Sequence, residues 1–228
     1  MRHSLFAAAV VAAFVSVSAP AQAQVTIGNN NAGGNCLPFS CVNVAAVNRQ
    51  QLQYRAGAFP GALTIGSIGF SCSGPLGDCP ANVPFASSTF TLRLATSTRA
   101  MGGLSSSSMD SNLGGDAQLF WTGTLSGNVP TSFTINGAAF NYDPALGNLI
   151  LDITWTAAPS VVNSYFDAYV GPDIERLLGT GNTGGQYTLR YGLVTTFGPG
   201  QTVVPEPGTI ALLGTGLVGL VVAARRRK

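Results

Sequence analysis

Apolar and polar residues alternate along much of this chain. Phe90, Leu92 and Leu94 fall on one side of an extended backbone, and Thr89, Thr91 and Arg93 fall on the other. Leu149, Leu151, Ile153 and Trp155 repeat the pattern, which puts Asp152 and Thr154 on the outer face of their strand. Tyr187, Leu189, Tyr191 and Leu193 do so again opposite Thr188, Arg190 and Val194. Shorter versions lie at 63–68, 119–121 and 133–135. A period of two is the mark of a strand with one buried face. Gly-, Pro- and Asn-rich turns separate these runs, among them Gly74-Pro75, Gly102-Gly103, Gly127-Asn128 and Asp143-Pro144. One exception reads as a short helix at 173–178, with Pro172 at its start and Asp173 and Glu175 in the first turn. Segments 99–116 and 178–186 read as long exposed loops, the kind of place where a ligand binds. The fold class expected is all-β: an antiparallel β-sandwich, jelly-roll-like.

The two ends break the pattern. Met1-Arg2-His3, an apolar stretch at 5–17 and the small-residue motif Ala21-Gln22-Ala23 make a secretory signal peptide over 1–23, with cleavage before Gln24. At the other end stand Val204-Pro205-Glu206-Pro207-Gly208-Thr209, then an uncharged run at 210–224, then Arg225, Arg226, Arg227 and Lys228. Fifteen residues of helix span about 22 Å, short of a hydrocarbon core of about 30 Å. Snorkelling arginines and local thinning cover the difference, and the terminal cations place the C-terminus in the cytoplasm. One transmembrane helix is therefore expected over 210–224, with the ectodomain confined to 24–203. Pro205 and Pro207 hold Glu206 on a stiff extended strip at the outer membrane face.

Composition then narrows the chemistry. Residues 24–203 carry six Arg against eight Asp or Glu, a net charge of −2, with no Lys and no His. That leaves no electrostatic footprint for nucleic acid. It also removes the imidazole of a Ser–His–Asp triad and the amine of a Schiff-base or Ser–Lys site. Carboxylate chemistry survives, with Asp110, Asp116, Asp143, Asp152, Asp167, Asp173 and Glu175 as candidates. Asn112 and Asp116 form a Ca²⁺ candidate in a flexible loop, and no other metal or cofactor is expected. Tyr54, Trp121 and Tyr169 suit either a sugar-stacking surface or a core, whereas Trp155 continues an apolar face. Cys36, Cys41, Cys72 and Cys79 all lie in the exported part, where oxidation to disulfides is expected. Three connectivities exist. The short spacings favour Cys36 with Cys41 and Cys72 with Cys79, each worth roughly 2–2.5 kcal/mol in the loop-entropy picture.

The tail's three-part order, with Leu212-Leu213-Gly214 and Gly216-Leu217 inside the span, resembles the PEP-CTERM sorting signal of Gram-negative bacteria. A similar tail is also labelled an ice-binding-protein C-terminal domain, a label that describes the tail alone. The resemblance implies that an exosortase processes the exported chain near Pro205-Glu206-Pro207, after which it reaches the cell surface or the exterior. A second resemblance covers most of 49–198, through Arg49-Gln50-Gln51, Leu94-Ala95-Thr96-Ser97-Thr98, Phe140-x-Tyr142-Asp143-Pro144 and Gly192-Leu193-Val194-Thr195. It is similar to a group of exported PEP-CTERM proteins with β-sandwich ectodomains, from which it departs by the insertion around Cys72 and Cys79. These readings imply a non-enzymatic surface or extracellular-matrix (biofilm) component, with exopolysaccharide as the partner class. The alternatives are a carbohydrate-binding lectin or a carboxylate-based glycan-active enzyme, and after them an adhesive subunit.

Overall fold

A computed structural model describes residues 24–29, 34–40, 47–72, 83–156 and 165–200. The expected signal peptide at 1–23, the sorting motif with the expected helix at 210–224 and the basic end, Cys41 and Cys79 lie outside the described residues. The described residues form two sheets whose strand pairings are all antiparallel. The strands are β1 (Val25–Ile27), β2 (Gly34–Asn35), β3 (Arg49–Tyr54), β4 (Leu63–Ser71), β5 (Thr89–Ser97) and β6 (Gln118–Thr124). They continue with β7 (Ser132–Tyr142), β8 (Asn148–Trp155), β9 (Phe166–Thr180), β10 (Thr183–Leu193) and β11 (Thr195–Gly198). The smaller sheet runs β1-β11-β4-β7; the larger runs β10-β9-β3-β8-β5-β6, with β2 added on β9. Among the described residues no helix is long and apolar enough to cross a membrane.

The alternation read from the sequence builds the core. Phe90, Leu92, Leu94, Leu149, Leu151 and Ile153 of the larger sheet are fully buried against Ile65, Ile68 and Phe140 of the smaller one. Each such side chain contributes roughly 1.5–3 kcal/mol by leaving water. Phe39, from the turn at 37–40, wedges between the sheets. Its ring lies 4.8 Å from Phe70, 5.4 Å from Phe90, 5.3 Å from Phe133 and 5.9 Å from Phe166. Tyr54 of β3 crosses to β11, with its ring edge-on to Phe197 at 5.0 Å and its hydroxyl 2.8 Å from Thr195 Oγ1.

Three expectations need correction. Residues 173–178 are not helical; they lie inside β9, a strand of 15 residues. This segment pairs with β3 on one side, Tyr54 opposite Ile174 through Arg49 opposite Gly179, and with β10 on the other. Hydrogen bonding on both edges overrides the local helix-start signal of Pro172, Asp173 and Glu175. Residues 178–186 are not a long loop but the tip of the β9–β10 hairpin, closed by the two residues Gly181 and Asn182. Gly181 takes the positive φ of 57° that such a turn requires. On β10, Tyr187 and Leu189 are exposed rather than core. β10 is an edge strand, and a register shift at Arg190, φ 58°, breaks its alternation.

Candidate functional site: the covered face of the larger sheet

Strand period puts Arg49, Gln51 and Gln53 of β3 on the face turned away from the smaller sheet, since Leu52 and Tyr54 occupy the inner one. Asp152 of β8 lies directly opposite both Gln51 and Arg93, and Glu175 of β9 lies directly opposite Gln53. In an ordinary half-solvated sheet this face would be wet. Here the connection from β5 to β6, residues 98–117, folds back across it, so all six residues of β3 are buried. The central strand of the sheet is therefore covered on both faces, although it reads Arg-Gln-Gln-Leu-Gln-Tyr.

Polar side chains hold the covering segment in place. Arg49 Nε donates to Asp152 Oδ1 at 2.7 Å, and Arg93 Nη2 donates to Asp152 Oδ2 at 2.7 Å. Both guanidiniums also reach Asp110 Oδ1 of the segment, at 2.8 Å from Arg49 and 3.3 Å from Arg93. Side-chain exposure is 4% for Arg49, none for Asp152, 34% for Arg93 and 56% for Asp110, so the cluster grades from dry to wet. The hydrogen bond from Arg49, with Arg93 behind it, holds the Asp110 carboxyl below its ordinary value. Arg49 Nη1 also donates to the Gly181 carbonyl, 3.0 Å away, and Asp110 N–H donates to Asn182 Oδ1 at 2.6 Å. The hairpin tip is thereby tied to the same cluster.

Two further groups complete the face. Asn112 is buried; it donates to Gln51 Oε1 at 2.8 Å and accepts from Ser105 N–H at 2.7 Å, while Gln51 Nε2 donates to the Met109 carbonyl at 2.9 Å. Glu175 is fully buried, and its Oε2 accepts from the Gly102 N–H and from the Tyr187 hydroxyl, the latter at 2.6 Å. Burial pushes the Glu175 carboxyl up; the bonds from Tyr187 and Gly102 and the field of Arg55 pull it back by less.

The structure distributes the carboxylates proposed from sequence rather than gathering them. Asp110 and Asp152 share the arginines, and Asp152 is buried instead of standing at an outer surface, because residues 98–117 cover it. Asp116 Oδ1 accepts the Thr96 N–H at 2.9 Å, and Asp143 Oδ1 accepts the Ala145 N–H at 2.9 Å in the expected turn. Asp167 accepts from the Ser71 hydroxyl at 2.7 Å, and Asp173 pairs with Arg55 at 3.4 Å. Asn112 and Asp116, the Ca²⁺ candidates, thus spend their oxygens on Ser105 N–H and Thr96 N–H. Among the described residues no group of three or more His, Cys, Asp or Glu is placed to hold a metal. Tyr54 and Trp155 are core, and Trp121 and Tyr169 are half-buried against it. An open depression of about 450 Å³ is lined by Gly28, Asn29, Tyr169, Val170, Gly171 and Pro172. No free cysteine occurs among the described residues, which include Cys36 and Cys72. Sequence reasoning missed Arg49, Gln51, Gln53 and Arg93 as a group; their signal was a strand of alternating long polar side chains with Leu52 and Tyr54 between them.

Residues 203–228 match the family model of the PEP-CTERM protein-sorting motif. The chain carries a PEP-CTERM motif. The match begins one residue before Val204 and runs through the span to the basic end. A PEP-CTERM motif implies an exported, membrane-anchored protein that an exosortase processes. Comparison with curated proteins and with solved structures finds no match. The identification therefore rests on the tail, and the ectodomain must be read from its own residues.

Proposed function

We propose that this chain is a non-enzymatic surface or extracellular-matrix component, held in the inner membrane by residues 210–224 until an exosortase processes it near Pro205-Glu206-Pro207. The observation that carries this reading is the PEP-CTERM motif at 203–228. The signal peptide over 1–23 supplies export, and exopolysaccharide is the partner class. Absence of His and Lys from 24–203 supports a non-catalytic role, as does the engagement of each of the seven candidate carboxylates by the chain's own donors. The ectodomain is a jelly roll in this reading. With β2 and the β9–β10 hairpin set aside, eight strands remain; the smaller sheet takes the first, last, third and sixth, and the larger takes the second, seventh, fourth and fifth. Pairing of Cys36 with Cys41 and of Cys72 with Cys79 belongs to the same proposal.

Mass spectrometry of the protein recovered from its native host tests it. A product beginning at Gln24 and ending between Pro205 and Gly208 is expected. Intact Lys228 in the membrane fraction overturns the sorting step. A lectin is the second reading, favoured by the Tyr169 depression, where an aromatic ring stands beside open polar backbone. Glycan binding that Tyr169→Ala abolishes, without turnover, selects it.

A further inference from the structure

We propose that Glu175 carries a proton in the folded domain, that its Oε1 hydroxyl donates to Gln53 Oε1, and that this neutral pair is a pH-sensitive latch holding the segment around Gly102 against the larger sheet. Two buried acceptors on this face lack a donor. Gln53 Nε2 donates to the Arg99 carbonyl at 2.9 Å and lies 3.7 Å from Met101 Sδ, which fixes the orientation of the amide. Its Oε1 is then buried with no hydrogen-bond partner. Glu175 Oε2 takes both available donors, Gly102 N–H and the Tyr187 hydroxyl, and Glu175 Oε1 is likewise buried with no partner. The two residues are direct cross-strand neighbours of β3 and β9, with Cβ atoms about 4.5–5.5 Å apart in such a pair. Two unpartnered acceptors on facing side chains are each costly. One proton on Glu175 removes both costs at once.

The charged groups around it do not offer another solution. From β10 the facing group is the Tyr187 phenol, itself a donor. Arg99 of the covering segment turns its guanidinium to Ser111 and to the Gly103 carbonyl. Arg55, at the end of β3, spends its guanidinium on the Pro172 carbonyl and Asp173 and reaches Glu175 only through its field. Burial favours the uncharged acid, in the same sense. Ionised Glu175 faces Gln53 Oε1 without a proton, and water relieves that contact once residues 99–103 lift. Because the folded value lies above the ordinary 4.5, the stabilisation is whole below 4.5 and is lost as pH rises through the folded value.

Glu175 and Glu206 are the only glutamates in the chain, so full-length protein labelled with ¹³C at the Glu carboxyl gives two signals. Glu206 serves as the internal control. Glu175 is expected to stay protonated at pH values where Glu206 has ionised. Gly102 amide exchange is expected to accelerate, relative to Glu175→Gln, by up to about tenfold per pH unit between the ordinary 4.5 and the folded value of Glu175, and to level off above it. In Glu175→Gln the new Nε2 replaces the acid proton towards Gln53, and Oε1 still accepts from Gly102 and Tyr187, so Gly102 stays protected. Titration of Glu175 together with Glu206 overturns the proposal. So does loss of Gly102 protection in Glu175→Gln at every pH, since the neutral isostere would then fail to replace the acid.

Discussion

The covering segment 98–117 is fastened by an acid at each of two places, and the two acids are in opposite states. At Asp110 the segment supplies the acid and the sheet supplies the cations: Arg49 and Arg93 both reach the same oxygen, half of the side chain is in water, and its pKa falls. At Glu175 the sheet supplies the acid and the segment supplies only a backbone N–H; burial is complete, and the pKa rises. Both fastenings lie over the same face of the larger sheet, one where Asp110 meets Arg49 and Arg93, the other where Glu175 stands opposite Gln53. What distinguishes them is whether a guanidinium is within bonding distance. The composition makes this consequential, because the exported part has only six arginines and no Lys or His to spread over eight acids.

The sharpest way to break the comparison is to remove its dry anchor. Asp152→Ala leaves Arg49 buried with only the half-exposed Asp110 to face, and loss of one partner of a buried pair costs about 3–5 kcal/mol. Chemical denaturation should show that loss as a lower midpoint at unchanged slope; a loss under about 1 kcal/mol would mean that water reaches the pair. Next comes Asn112→Ala. It strips a donor from Gln51 Oε1 and an acceptor from Ser105 N–H beneath the segment, at a cost of about 1–3 kcal/mol. Hydrogen exchange at Ser105 should rise while Gly102, at the other fastening, stays protected. Simultaneous loss of both would show that the segment opens as one unit and that the two fastenings do not act separately.

The sequence foretold the inner faces better than the covered one, for a physical reason. Leu149, Leu151 and Ile153 show their role by alternation, because one side of β8 meets apolar neighbours and the other does not. β3 hides the same period, since Gln51 and Gln53 are buried by hydrogen bonds to the carbonyls of Met109 and Arg99 respectively, which only the folded segment brings there. Asp152 looked like a solvent-facing residue for that reason. The helix read at 173–178 failed similarly. Glu175 supports a first turn locally, but in the fold it faces Gln53 across a ladder bonded on both sides. Gly114 left a legible trace in Asn112-x-Gly114-x-Asp116: a Cβ there would run into the Thr96 carbonyl, so the segment can pass close enough for Asp116 to accept the Thr96 N–H.

The smallest expected effect sharpens the comparison most, because it tests its sign. Asp110 has a folded value lowered from the ordinary 3.8, so its contribution is whole above 3.8 and is lost as pH falls through the folded value. Glu175 runs the other way, losing its contribution as pH rises. The pair Asp110→Asn and Glu175→Gln should therefore separate the two limbs: the first flattens the acid limb of stability against pH, and the second flattens the alkaline limb. Since the Asp110 side chain is 56% exposed, its ion pairs are worth about 0.2–1 kcal/mol and should fade in salt. The Glu175 limb, being dry and free of any bonded cation, should persist at the same ionic strength. A salt-sensitive alkaline limb would mean that Glu175 is answered by a mobile charge, and the contrast between a paired and a protonated acid on this face would collapse.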